Sequence, residues 1–91
     1  HRSLHDFTTA RASLKTVEVP PDTGAAGKMI AELKLRTQTG ASVVGIERQG
    51  TSIVNPGPDE ELESGDQILL IGSEDQLNAA KELLTAPKDA R

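Results

Sequence analysis

The 91-residue chain contains no cysteine, no tryptophan and no tyrosine, and Phe7 is its one aromatic residue. Without thiols there is no disulfide scaffold, no zinc-thiolate site and no cysteine nucleophile. Without aromatic rings there is no platform on which to stack the bases of single-stranded DNA or RNA, and no aromatic cage. No run of Lys or Arg is present to favour an anionic membrane, and no apolar stretch approaches the ~20 residues that cross a bilayer. Fourteen acidic against ten basic residues give a net charge of −4. That sign repels phosphate backbones, so nucleic acid is not an expected partner. The chain starts at His1 with no signal peptide, and we expect it to be a fragment of something longer.

What remains is aliphatic. Val, Ile, Leu and Ala must build the core, in a chain long enough for one small domain. A domain of this size buries a modest share of its surface, which makes stabilisation by self-association an expectation. Residues 1–13 are polar, with Leu4, Phe7 and Arg11 at helical spacing, and read as a linker or connecting helix. Residues 14–86 form the domain, and 87–91 read as a disordered tail.

Within the domain, Leu14–Val19 reads as a strand ended by Pro20 and Pro21, which lack the ladder's donor. Gly27–Gln38 reads as one helix, with Ala26, Ile30 and Leu33 on a face, Leu35 beside it, and Gly40 as its stop. Ser42–Arg48 is a β-branched strand, Gln49-Gly50 a tight turn, and Thr51–Val54 the returning strand. Asn55–Pro58 breaks regular structure, and Asp59–Ser64 is an acidic loop anchored by Leu62. Gln67–Ile71 is continuously apolar and predicts a central strand covered on both faces. Ser73 and Gln76 form a capping box for a final helix with Leu77, Ala80, Leu83 and Leu84 as its stripe. The order β-α-β-β-β-α is an α+β fold with a small, mostly antiparallel sheet of four strands and two helices.

Few residues offer chemistry. His1 and His5 have a zinc-compatible spacing, but they lack the intervening glutamate of a metalloprotease helix and sit in the linker. Gly27-Lys28 lacks the glycine five residues upstream and the following Ser or Thr of a phosphate loop; Asp22 and Met29 stand there instead. Asp59, Glu60, Glu61, Glu63 and Asp66 gather oxygen ligands without a calcium-loop spacing, and read as a solvated loop. The serines have no histidine in the folded part to act as base. No metal site and no enzyme is expected. Arg48, ending an apolar strand beside a turn, has two readings: a phosphate contact with Thr51 and Ser52 opposite, or a pair with Glu47 or Glu63.

The segments Lys28–Gly40 (KMIAELKLRTQTG), Ala41–Gly50 (ASVVGIERQG), Ile53–Pro58 (IVNPGP), Leu62–Gly72 (LESGDQILLIG) and Ser73–Leu77 (SEDQL) together resemble the TrkA-C domain. That is the C-terminal half of regulator-of-potassium-conductance (RCK) proteins. The wording is closest to domains fused to Kef-type cation:proton antiporters. The resemblance implies a cytoplasmic regulatory homodimer at the inner face of the membrane, attached to a potassium or other monovalent cation transporter or channel. It also implies a small ligand at the dimer interface, with cyclic di-AMP or another small nucleotide as the option. The family's binding hairpin maps onto Ile46, Arg48, Ser52, Ile53, Val54, Asn55 and Pro56, with apolar residues packing the bases and Arg48 meeting a phosphate. Glu47 and the acidic loop would repel a doubly anionic ligand there, unless Arg48, Arg36 or Lys34 outweighs them. The alternatives are a purely structural dimer module without ligand, and the effector domain of a transcriptional regulator.

Overall fold

The computed structural model describes residues 12–88. In chain order the elements are β1 (Ser13–Glu18), α1 (Ile30–Leu33), α2 (Leu35–Thr39), β2 (Ser42–Arg48), β3 (Thr51–Val54), β4 (Gln67–Gly72) and α3 (Glu74–Thr85). The strands form one sheet in the order β1-β4-β2-β3, and every pairing is antiparallel. The expected α+β class, the four strands and the central place of β4 are all present.

The period of two along the strands, reset in β2 by a bulge between Val43 and Gly45, divides the sheet into two faces. Val17, Ile46, Ile68 and Leu70 point to the core. Leu77, Ala80 and Leu84 of α3 cover them, with Leu35, Ala41 and Leu62 closing the sides. The capping box at the start of α3 is formed: the Gln76 amide donates to Ser73 Oγ, and the Ser73 amide donates to Gln76 Oε1 at 2.8 Å. The same Gln76 side chain lies against Gly40, which has φ +85°, and a Cβ there would fall 2.5 Å from Gln76 Nε2. Gly40 therefore serves both a left-handed helix stop and a close approach.

Three expectations are corrected. β4 is covered on one face only: Ile68 and Leu70 are sealed, but Leu69 and Ile71 remain half-buried on the opposite face. The continuous apolar run marks a strand whose second face has no cover among the described residues. The single helix over 27–38 is two short helices. Gly27 adopts φ +87°, and the backbone of 27–31 instead pairs with the 58–62 loop, Gly27 N–H to Leu62 O at 2.7 Å and Ile30 N–H to Glu60 O at 3.0 Å. The helix then breaks at Lys34, which is left-handed (φ 51°, ψ 41°). In an unbroken helix Leu35 would lie about 140° from Ile30 around the axis; the break re-phases it into the core, where it is 3% exposed. Burying a leucine is worth roughly 2 kcal/mol, enough to offset a left-handed residue at roughly 1–2 kcal/mol.

The third correction is at the C-terminus. Pro87 bridges to Thr23 and the Lys88 amide donates to Asp22 O at 3.0 Å, so the first two residues of the tail expected over 87–91 are tied down, while 89–91 lie outside the described residues. The linker expected over 1–13 falls mostly outside the described residues, except that Ser13 already belongs to β1.

Candidate functional site

The hairpin singled out by resemblance is built as expected. Gln49 (φ 51°) and Gly50 (φ 81°) are both left-handed, the geometry of a two-residue turn whose twist suits the flanking strands. Arg48 pairs with Thr51, Glu47 with Ser52, Ile46 with Ile53 and Gly45 with Val54.

That register sends the seven candidate residues to different surfaces. Ile46 is buried in the core and Ile53 packs against it. Both nonetheless line a depression at the hairpin, and Ile53 is only partly buried. Ser52 and Val54 lie on the opposite, open face, Val54 at 76% exposure, and Ser52 Oγ donates to Glu47 Oε1 at 2.6 Å. On that face a shallow depression of about 340 Å³ lies over Gly45, rimmed by Thr16, Val44, Glu47, Ser52, Val54 and Leu69. Asn55 is left-handed (φ 50°) and donates its amide to Val44 O. Pro56 leaves the hairpin and walls a separate groove.

Arg48 follows the second of its two readings, though not with Glu47. Its Nε donates to Asp66 Oδ1 at 2.9 Å and its Nη2 to Asp66 Oδ2 at 2.8 Å, a bidentate pair. Nη2 also donates to the Glu61 carbonyl at 2.9 Å, and Nη1 to Glu60 Oε2 at 3.3 Å, with Glu63 at 3.5 Å. All three guanidinium nitrogens are thus engaged by the 60–66 loop, through four of their five N–H donors. Asp66 is 1% exposed and accepts a further bond from the Glu63 amide at 2.9 Å. Burial pushes its carboxyl up, but the hydrogen bonds from Arg48 and the Glu63 amide, with the Arg48 charge, outweigh burial and hold it below the usual carboxylate range. The bonds to Asp66 raise Arg48 further above its already high value. This pair was missed in the sequence because Asp66 lies 18 residues from Arg48 and reads as part of a Gly-Asp turn; only its buried neighbours Leu62 and Ile68 hint that it faces inward.

The groove walled by Pro56 lies between the broken helix and the start of β2, and its volume is about 410 Å³. Ile30, Leu35 and Val43 line it with Pro58, while Lys34 and Arg36 stand on its rim with the hydroxyl residues Thr37 and Ser42. Lys34 and Arg36 are exposed and make no ion pair with any described residue. Among the described residues no group of three or more His, Cys, Asp or Glu side chains is placed to hold a metal ion.

The family model of the TrkA-C domain matches residues 14–85, from β1 to the end of α3. The chain belongs to the TrkA-C family. This TrkA-C domain is 31% identical over 75 residues to a probable potassium channel protein of Methanocaldococcus jannaschii, covering 82% of the chain and 22% of the channel. Other curated relatives are transporters of which the chain spans about a tenth. Among solved structures, it is similar to the RCK_C domain dimer of S. agalactiae BusR in complex with c-di-AMP, with a TM-score of 0.73 at 39% identity, covering 79% of this chain and 95% of that one. It is equally similar in fold to the RCK C domain of the potassium transport protein KtrA in complex with cyclic diadenosine monophosphate, with a TM-score of 0.73 at 28% identity, covering 88% and 94%. A longer BusR chain, of which this domain covers 44%, is solved with its promoter DNA.

Proposed function

We propose that this TrkA-C domain is the ligand-sensing, dimer-forming regulatory part of a larger protein that moves potassium or another monovalent cation, working at the cytoplasmic face of the membrane. It is regulatory and not catalytic. The observation that carries this reading is the match over nearly the whole of two isolated RCK_C domains, one from a potassium transport protein, both in complex with the same cyclic dinucleotide. The channel and transporter relatives support attachment to a membrane protein, and a cation:proton antiporter is the finer reading we favour from the wording of the hairpin and the 62–72 segment.

The fold supplies what regulation of this kind needs. The open face carries Leu14 at 62% exposure and Val54 at 76%, beside half-buried Leu69 and Ile71, an apolar surface suited to a second copy. A ligand held across the two-fold favours one relative orientation of the copies, and its differential affinity for the two orientations sets how far the attached transporter shifts. The ligand is a small nucleotide, with cyclic di-AMP first among the options; its two-fold symmetry matches that of a dimer.

A second reading, the effector domain of a transcriptional regulator, is favoured by the likeness to BusR, a protein solved with promoter DNA. In that case DNA would belong to the parent protein's partners, while the net charge of −4 still opposes direct contact with this domain.

Calorimetric titration of the 91-residue chain with cyclic di-AMP, with AMP, ATP and NAD(H) as comparisons, tests the first reading. Saturation at one half ligand per chain, with a dimer seen by sedimentation, is expected. A dimer that binds none of them would leave only the structural module. The segment encoded upstream separates the two parents: membrane spans or a DNA-binding head.

A further inference from the structure

An anionic ligand on this domain needs positive charge, and the arginine that the resemblance assigns to that task is already paired with Asp66. We propose that Lys34 and Arg36, on the rim of the Pro56 groove, form the phosphate-contacting end of a nucleotide site whose apolar floor is Ile30, Leu35 and Val43. This rests on the nucleotide-sensing reading above and deepens it by moving the contact from the hairpin to the broken helix.

Four observations converge. First, the groove is the right size: about 410 Å³ takes one mononucleotide unit, which is half of a cyclic dinucleotide. Second, its chemistry is divided. Aliphatic side chains and the apolar rings of Pro56 and Pro58 offer a slot for a base, while the rim offers two cations and two hydroxyls. Third, its lining includes no acidic side chain. A second depression sets Glu74 and Asp75 against Lys15, and the open-face depression carries Glu47 alone. On a chain of net charge −4, the groove is therefore the cationic one of the three. Fourth, the two cations are unspent within the described fold, whereas Arg48 faces Glu60, Glu63 and Asp66 together. The nearby Glu32 carboxylate is held by the Met29 amide at 2.8 Å.

The left-handed turn at Lys34 is what creates this arrangement. In a continuous helix, residues 34 and 36 would be 200° apart and point to opposite sides. The break places both on the rim of one groove while Leu35 between them enters the core. Each then presents a charged donor to an anion at the mouth.

The test is amide chemical-shift mapping on the full chain, joined to calorimetry, with cyclic di-AMP, AMP and pyrophosphate as separate probes. The variant is Lys34→Ala with Arg36→Ala, both exposed positions, and sedimentation checks that it remains folded and keeps its oligomeric state. The expected result is that AMP and cyclic di-AMP shift the amides of 34–37, 42 and 43. The double variant should bind them about tenfold more weakly or worse, with a shallower dependence on salt. Pyrophosphate shifting only the 34–37 amides would support the phosphate end of the site. Cyclic di-AMP bound at the open face or hairpin, with unchanged affinity in the double variant, overturns the groove while leaving the sensor reading intact. AMP or pyrophosphate bound at the groove with no response to cyclic di-AMP keeps the groove and removes the cyclic dinucleotide. No groove shift with any probe overturns the inference.

Discussion

Arg48 and the Lys34–Arg36 turn both place positive charge on an acidic chain, yet the fold uses them in opposite ways. Arg48 reaches inward from the end of β2 to a buried carboxylate, and its donors are matched by acceptors from residues 60–66. Lys34 and Arg36 flank a buried leucine and have no described partner. The first is a clamp that fastens the acidic loop to the sheet; the second is a pair of charges held beside an apolar groove. What separates them is the location of the counter-charge, and that is decided by contacts far apart in sequence. A strand-end arginine beside a turn reads as available until the tertiary fold brings Asp66 beneath it.

The comparison breaks most visibly if the clamp carries no stability. Arg48→Ala leaves the Asp66 carboxylate buried without its charge partner. Removing one member of a buried pair is strongly destabilising, and with Arg48 itself a fifth exposed we expect a loss of about 3 kcal/mol in urea unfolding. A loss under about 0.5 kcal/mol, the range of an ordinary surface substitution, would show that the clamp is decorative. Asp66→Asn should cost less, about 2 kcal/mol, because Glu60, Glu63 and the Glu61 carbonyl still hold the guanidinium.

Acid sharpens the same point through its sign. The folded-state carboxyl of Asp66 is depressed. Its contribution is therefore fully present above the ordinary aspartate value of about 3.9 and is lost as pH falls through the lower folded value. Arg48 stays protonated throughout and adds no pH dependence. In Arg48→Ala the lowering influences of the guanidinium are gone and burial dominates, so acidification toward pH 4 should shrink the deficit against the parent chain. Urea midpoints at pH 7 and pH 4 for both proteins measure it; a deficit that widens at pH 4 would contradict this account of the pair.

Much of the fold was legible because it rests on local signals. The β-branched run at 42–48, the Gln49-Gly50 turn, the Ser73–Gln76 cap and the aliphatic stripe of α3 each have a mechanism that needs no distant partner. The broken helix was not legible: nothing between Ile30 and Thr39 is a helix breaker, and the break follows from the burial of Leu35 against a core assembled from other elements. The sheet faces were only half legible. Alternation in 45–54 fixes which residues share a face, although a bulge between Val43 and Gly45 resets it at the start of β2, and it does not say that Ile46 and Ile53 are the ones turned inward until β4 is placed beside β2. Of the candidate site, Pro56 was found by resemblance. Lys34 and Arg36 entered the sequence analysis only as counterweights to the acidic loop, because their convergence depends on a left-handed residue that propensity does not forecast.

The smallest expected effects bear on the groove. Lys34→Gly removes the side chain from a left-handed position, where glycine is unstrained, and should stabilise the fold by about 0.5–1 kcal/mol. Lys34→Ala keeps the strain and, with Arg36→Ala, should leave stability within about 0.5 kcal/mol of the parent. The two changes at residue 34 therefore part in stability, yet each removes the same charge from the groove. If Lys34 serves an anionic ligand, Lys34→Gly produces a more stable domain with weaker binding, and Lys34→Ala an equally weak one with no gain. A natural residue retained at a stability cost that glycine would relieve is what a functional position looks like. If thermal unfolding shows no gain for Lys34→Gly, the turn is unstrained and this part of the argument for function at Lys34 disappears, while the charge argument still stands on the titrations.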